Sequence, residues 1–279
     1  MSRMGISLAM TALLLGGGCK GLPDAPEALD ELASFLYEHV MEEDDDYLLA
    51  GINNLNTWLA ADFVPTEELD GDFNTNFDAT AEGYAVTDLT VEAVKSLDGV
   101  ERNLDDLLGA AVGYDMNLTV EQINEAFIRD DMKEVLPGRY QSYVRTFADE
   151  SERDCFLEKR CDRLEFDISV TVDYPLGLTV EADSRVHYRR VSMDDDTDVV
   201  LQRTWMLEPG VSSADWIEIE QQYYLSAHLV RGSGARRIDV TWVKAFLRNT
   251  PVPVDMALSL TVDTMRETGA ELEAYYAGE

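Results

Sequence analysis

Apolar positions recur at helical spacing soon after residue 26. Leu29, Leu32, Ala33, Leu36 and Val40 fall on one face, which predicts a helix with Asp24 as its cap and Pro26 in its first turn. The run Glu42 to Asp46 is acidic throughout and reads as a solvated break or as the first turn of the next helix. That helix is expected over about 45–61, with Leu48, Leu49, Ile52, Leu55, Trp58 and Leu59 on its apolar side, so that the two can pack as a hairpin. Residues 62–83 are turn-rich and read as irregular. Short helices are expected around 90–97 and 103–109.

From residue 110 the period changes. Ala111 to Leu118 reads as a strand. Thr119 with Gln122 three residues later forms a capping box, opening a helix that runs to about Leu136 and stops at Pro137-Gly138. Tyr140 to Ala148 reads as a strand. Leu164, Phe166, Ile168, Val170, Val172 and Tyr174 alternate with Glu165, Asp167, Ser169, Thr171 and Asp173, the pattern of a half-buried strand. Pro175 to Gly177 makes a turn, and Leu178, Val180, Ala182, Ser184, Val186 and Tyr188 continue the alternation. Further strands follow over Val199–Leu207, Trp216–Val230 and about 238–246, with Gly232-Ser233-Gly234 between the last two. After Pro251-Val252-Pro253 the chain turns helical to about Tyr276, on a stripe of Val254, Leu258, Met265, Leu272 and Tyr276.

The expected class is α+β: a curved antiparallel sheet of about six to seven strands packed on a long C-terminal helix, preceded by an acidic helical region. Over residues 110–278 this order resembles the START-like, or helix-grip, superfamily, which usually carries two short helices after its first strand. Here one helix is read, with a kink near Asp130-Asp131. The resemblance implies a cavity between sheet and last helix that holds a lipid or another hydrophobic small molecule. Trp205, Tyr223 and Trp242 on strands, with Met256 and Leu260 on the helix, are the candidate liners. Each is equally at home as plain core packing.

The first nineteen residues carry a different signal. A basic start at Arg3, an apolar run of about ten residues and Gly16-Gly17-Gly18 precede Cys19. The run is well short of the ~20 residues that span a bilayer as a helix and suits a signal-peptide core. With a cysteine directly after the small residues, the segment resembles a bacterial lipoprotein signal. The resemblance implies cleavage before Cys19 and lipid on Cys19, whose acyl chains supply the membrane affinity. Lys20, rather than Asp, follows, which favours the outer membrane, with the protein facing periplasm or cell surface. The chain thus divides into a signal peptide (1–18), a lipidated tether (19–25), an acidic mainly helical region (26–109) and the sheet-and-helix domain (110–279).

Charge narrows the functions. The 279-residue chain has a net charge of −33, which argues against nucleic acid as a partner. Residues 21–100 hold twenty acidic residues and one basic one, Lys95. In an exported protein the close pair Cys155 and Cys161 is expected to be oxidised, as a staple on a connection. The spacing Asp70, Asp72, Asn74, Asn76, Asp78 places oxygen side chains at every second position and makes calcium the one cofactor considered, although Thr75 and Ala81 stand where an EF-hand loop needs Gly and Glu. No His-Glu-x-x-His, Gly-x-Ser-x-Gly or phosphate loop occurs, so no enzymatic reaction is assigned. His187 and His228 fall in strands and could meet across the sheet. Two functions stay open: a membrane-anchored envelope lipoprotein that binds a hydrophobic ligand, or an adaptor lipoprotein that works through contacts with other envelope proteins.

Overall fold

The long alternating segments pair in sequence order as antiparallel strands. The computed structural model describes residues 22–61, 84–86, 89–174, 177–193, 197–248 and 256–278. Its elements are α1 (Leu29–His39), α2 (Asp46–Ala61), β1 (Tyr84–Ala85), α3 (Val91–Asp98), β2 (Leu108–Met116), α4 (Val120–Ile128), α5 (Met132–Val135), β3 (Tyr140–Phe147), α6 (Glu150–Leu157), β4 (Arg163–Tyr174), β5 (Leu178–Ser192), β6 (Asp198–Met206), β7 (Val211–Ser212), β8 (Ile217–Arg231), β9 (Gly234–Leu247) and α7 (Met256–Ala277). The nine strands form one curved antiparallel sheet in the order β1-β2-β9-β8-β6-β5-β4-β3, with β7 pairing to β5. Together with the C-terminal helix this is the α+β arrangement expected from the sequence. Gly232, at φ +59°, supplies the left-handed residue of the two-residue turn that sets Arg231 opposite Gly234.

Helices cover one face of the sheet and, over β2, β9, β8 and β6, the other face as well, and strand alternation sorts side chains between the two. One core holds Val112 and Tyr114 of β2, Val186 and Tyr188 of β5 and Val200 of β6, packed with α4, α5 and α7. The other holds Leu201, Trp205, Tyr223, Leu225, Val240 and Trp242, packed with Leu32, Leu36 and Tyr37 of α1, Leu48, Ile52 and Leu55 of α2 and Val94 of α3. The acidic helices therefore lie flat against the back of the sheet. Arginines bind them there: the Arg203 guanidinium donates to the carbonyls of Tyr37 (2.9 Å) and Glu38 (3.1 Å) at the end of α1, where a helix presents unpaired carbonyls and negative dipole. Arg189 bridges Asp45 and Asp162.

Four local expectations change. Helix α1 begins at Leu29 after an extended lead-in and has no side-chain cap, so Asp24 does not cap it; the lead-in is held by the Asn54 amide, which donates to the carbonyls of Ala25 (2.8 Å) and Pro26 (2.9 Å). Residues 103–109 do not form a helix. The Asn103 side chain accepts from the Asp105 amide at 2.8 Å and Asp106 takes φ +63°, a local turn that competes with helix, and β2 starts at Leu108. The segment 119–136 is two helices, because Asp131 accepts from the Lys133 amide at 3.0 Å and caps α5 afresh. Helix α6 was not anticipated; Asp149 caps it through the Ser151 amide at 2.8 Å. Cys155 in α6 is disulfide-bonded to Cys161, at a Cα separation of 5.3 Å, and staples the connection from α6 to β4.

Candidate ligand cavity

Helix α7 does not cover its face of the sheet evenly. It packs most closely on β2 and β9. Gly269 makes that approach close: a Cβ built there would lie 2.7 Å from the Tyr114 ring. The remainder of the face, from β8 to β4, projects small or short side chains at its centre: Ala182, Ser184 and Thr204. Between these strands, α7 and the α4–α5 pair lies a cavity of about 200 Å³. Ile168, Val170, Val180, Met206 and Ile219 line it from the strands, Phe127, Met132 and Leu136 from α4, α5 and the turn after α5, and Met265 from α7. Tyr140, Tyr143 and Tyr174 close the side nearest β3. Burial pushes the Tyr174 hydroxyl up to about 12 and raises those of Tyr140 and Tyr143, as expected of hydroxyls set among apolar side chains.

Two arginines reach the cavity from different sides. Arg139, in the turn before β3, donates to Thr268 Oγ1 (2.6 Å) and Glu271 Oε2 (2.5 Å), fastening α7 across the opening. Burial raises the Glu271 pKa, and the opposing pull of Arg139 does not cancel it. Arg237 comes from β9 and lies at the centre of a buried polar group. Its Nε donates to Asp239 Oδ1 at 2.8 Å and its Nη2 to the Tyr224 hydroxyl at 2.6 Å. Ser226 Oγ donates to Asp239 Oδ1 at 2.6 Å and the Tyr114 hydroxyl to Asp239 Oδ2 at 2.9 Å. The Phe127 ring stacks 4.5 Å from the guanidinium carbon. Asp239 is wholly buried and Arg237 is 2% exposed. Burial is the largest single influence on Arg237 and would lower its pKa, but the Asp239 carboxylate together with the Tyr114 and Tyr224 hydroxyls carries the net direction upward.

The candidate liners fall elsewhere. Trp205, Tyr223 and Trp242 are register partners and form one row across β6, β8 and β9, but the row faces α1. Tyr37 meets Trp242 edge-on at 5.7 Å and Tyr223 at 6.2 Å. Their neighbours Thr204 and Tyr224 face the cavity instead. A shift of one residue exchanges the faces of a strand, and the largest aromatics went to the face that the N-terminal helices cover. Met256 and Leu260 lie in the opening turns of α7, but their side chains lie outside the described residues, as do Cys19, the Asp70–Asp78 segment and Asp194–Asp196. Among the described residues no group of three or more His, Cys, Asp or Glu is placed to hold a metal ion, and no helix is long and apolar enough to cross a membrane.

The two strand histidines project to opposite faces and do not meet. His187 accepts from Arg203 Nε at Nδ1 (3.1 Å), behind the sheet; its Nε2 is 2.9 Å from Glu165 Oε2. Burial and the Arg203 charge nevertheless bring its pKa down to about 3. His228 faces α4, with Nδ1 3.1 Å from Asn124 Oδ1, and is fully buried, which lowers its pKa well below the usual range.

No protein-family model matches the chain, and no curated protein does. Among solved structures it is similar to a START superfamily protein from Mycobacterium smegmatis (10% identity, 62% of this chain and 97% of that one, TM-score 0.37). A STAR-related lipid transfer protein from Xanthomonas axonopodis matches at 6% identity over 64% of this chain and 97% of that one, with a TM-score of 0.40. The di-domain ARO/CYC BexL matches at 6% identity over 66% of this chain and 56% of that one, with a TM-score of 0.42.

Proposed function

We propose that this chain binds a hydrophobic small molecule or lipid beneath α7, as an exported protein held at a bacterial membrane by lipid on Cys19. The observation that carries the binding function is the cavity itself. Interiors are otherwise close-packed, and voids of this size are few; an apolar chamber with a few polar groups is the usual form of a small-molecule site. The wall is mostly aliphatic or aromatic, so burial of apolar ligand surface supplies the affinity, at roughly 25 cal/mol per Å² removed from water. The apolar sides of α1, α2 and α3 are occupied inside the chain, which leaves ligand binding as the reading with a built site behind it.

Native mass spectrometry of the purified chain tests the binding. A co-purified organic ligand is expected, and Ala182→Phe, which fills the cavity, should remove it while the protein still melts cooperatively. Retention of the ligand by the filled variant would place binding elsewhere. The anchor has its own test: Cys19→Ser should move the protein from the membrane fraction to the soluble one, and continued membrane retention would show that lipid on Cys19 does not hold it.

A further inference from the structure

The core behind the sheet is not closed at its margin. Between α2, the start of β6 and the end of β8 lies an open groove of about 540 Å³, larger than the cavity beneath α7. Leu22, Leu49, Met193, Val199, Leu229 and Val230 are its apolar wall, and the other described wall residues are neutral amides and a threonine. None of them is charged, in a chain whose residues 21–100 hold twenty acidic side chains. Val199 and Leu229 make the floor, 3% and 4% exposed, while Leu22 and Val230 stand at the rim, 46% and 47% exposed. The groove also lies where the chain enters the fold. Asn54 of α2 holds the lead-in by the carbonyls of Ala25 and Pro26, which keeps Leu22 against the groove. Cys19 precedes Leu22 by three residues, so the two Cα atoms lie within about 11 Å of each other, at ~3.6 Å per extended residue. An acyl chain fills half of the ~30 Å hydrocarbon core of a bilayer, about 15 Å, and so reaches from Cys19 into the groove.

We propose that this groove takes an acyl chain of Cys19 when the protein is away from a bilayer. The inference rests on lipid being attached at Cys19. The shape of the groove favours a single chain over a membrane surface. A flat surface meets the rim residues but not a floor that is 3–4% exposed, whereas a chain lying lengthwise meets both. Each methylene covered in this way leaves water, which is the same gain that draws it into a membrane. Groove and bilayer therefore compete for the chain. Stable anchoring takes two lipid signals, and one chain alone holds only marginally, so every chain that the groove takes weakens the attachment. The groove would make the anchor reversible and keep the released protein from associating through its own lipid.

The test uses the full chain, produced in bacteria fed a diazirine-bearing palmitate and transferred from detergent into plain buffer. Irradiation should cross-link the lipid to the peptides that contain Leu49 or Leu229, and the acylated protein should sediment as a monomer. The double substitution Leu49→Lys with Val230→Lys changes one half-buried and one exposed position. It should abolish the cross-link and turn the monomer into large assemblies, with thermal melting of its Cys19→Ser form verifying the fold. The cross-link map of the unaltered protein decides the matter whether or not that variant folds. Cross-links elsewhere, the α7 cavity at Met265 included, or large assemblies of the unaltered protein, overturn the groove assignment and leave the anchor standing. Binding of the unacylated Cys19→Ser chain to phosphatidylcholine vesicles, lost on the double substitution, would make the bilayer the occupant instead. Dimerisation of that chain, lost in the same way, would make it a second copy. An N-terminal peptide whose mass carries no lipid overturns the anchor and this inference together.

Discussion

Arg237 and Asp239 occupy alternate positions of one strand and so share a face. On an exposed face, such a pair would be a minor surface ion pair. Here the face is closed by α4 and α7, and the same two residues become a buried polar pair beside the cavity, which Arg237 lines. Their sequence context hid this, because charged residues two apart beside Ile238, Val240 and Trp242 read as the wet side of a half-buried strand. Breaking such a pair from one side leaves a buried charge, and Asp239→Leu is expected to cost about 3–5 kcal/mol in urea unfolding. The histidines set a pH limit at the same scale. His187 has a folded pKa of about 3 and His228 one well below the usual value, while the unfolded chain titrates near ~6.5. Between these values the unfolded state binds more protons, so stability is full above pH ~6.5 and falls as pH drops through the window, by about 1.4 kcal/mol per pH unit for each histidine. Urea midpoints measured from pH 7 to pH 4 should show this slope, and His187→Asn should make it shallower.

At the scale of elements, the sequence was most readable where one period persisted. The twelve residues of β4 alternate without a break, and β4, β6 and β8 appear close to their expected bounds, while β5 runs on to Ser192 and β9 begins already at Gly234. The capping box of α4 forms as written, with the Gln122 side chain accepting from the Thr119 amide at 2.9 Å and Thr119 Oγ1 accepting from the Gln122 amide at 3.2 Å. What local pattern could not supply was which face of the strands each layer of helices would cover. Both faces of β6, β8 and β9 are buried, so alternation could not tell which helices the row of Trp205, Tyr223 and Trp242, taken as cavity liners from the helix-grip resemblance, would meet. The cavity is instead marked by what is small, Ala182, Ser184 and Thr204, and a small residue in a strand carries little signal by itself. The Arg139 link to Thr268 and Glu271 joins positions more than a hundred residues apart, and no local pattern announces it. Arg139→Leu should loosen α7 with little loss elsewhere. Hydrogen exchange is expected to speed up across α7 while the amides of β8 and β9 stay protected, and uniform acceleration over the whole chain would refute this.

Across the whole molecule, one body of net charge −33 holds its sheet between two helical layers. Like charges at that density oppose compaction and are screened within about 10 Å at 0.1 M salt. Raising sodium chloride from 10 mM to 500 mM should therefore raise the melting temperature. A decrease would mean that the buried Arg237–Asp239 pair is more accessible to salt than its burial implies. The layering has a mechanical consequence. Where β6, β8 and β9 floor the cavity they are braced from behind by α1 and α2 and have little compliance, so the wall able to yield there is α7, clasped at Arg139. Guests of different girth are then accommodated by displacement of α7, and the speed of loading is governed by how often that clasp lets go.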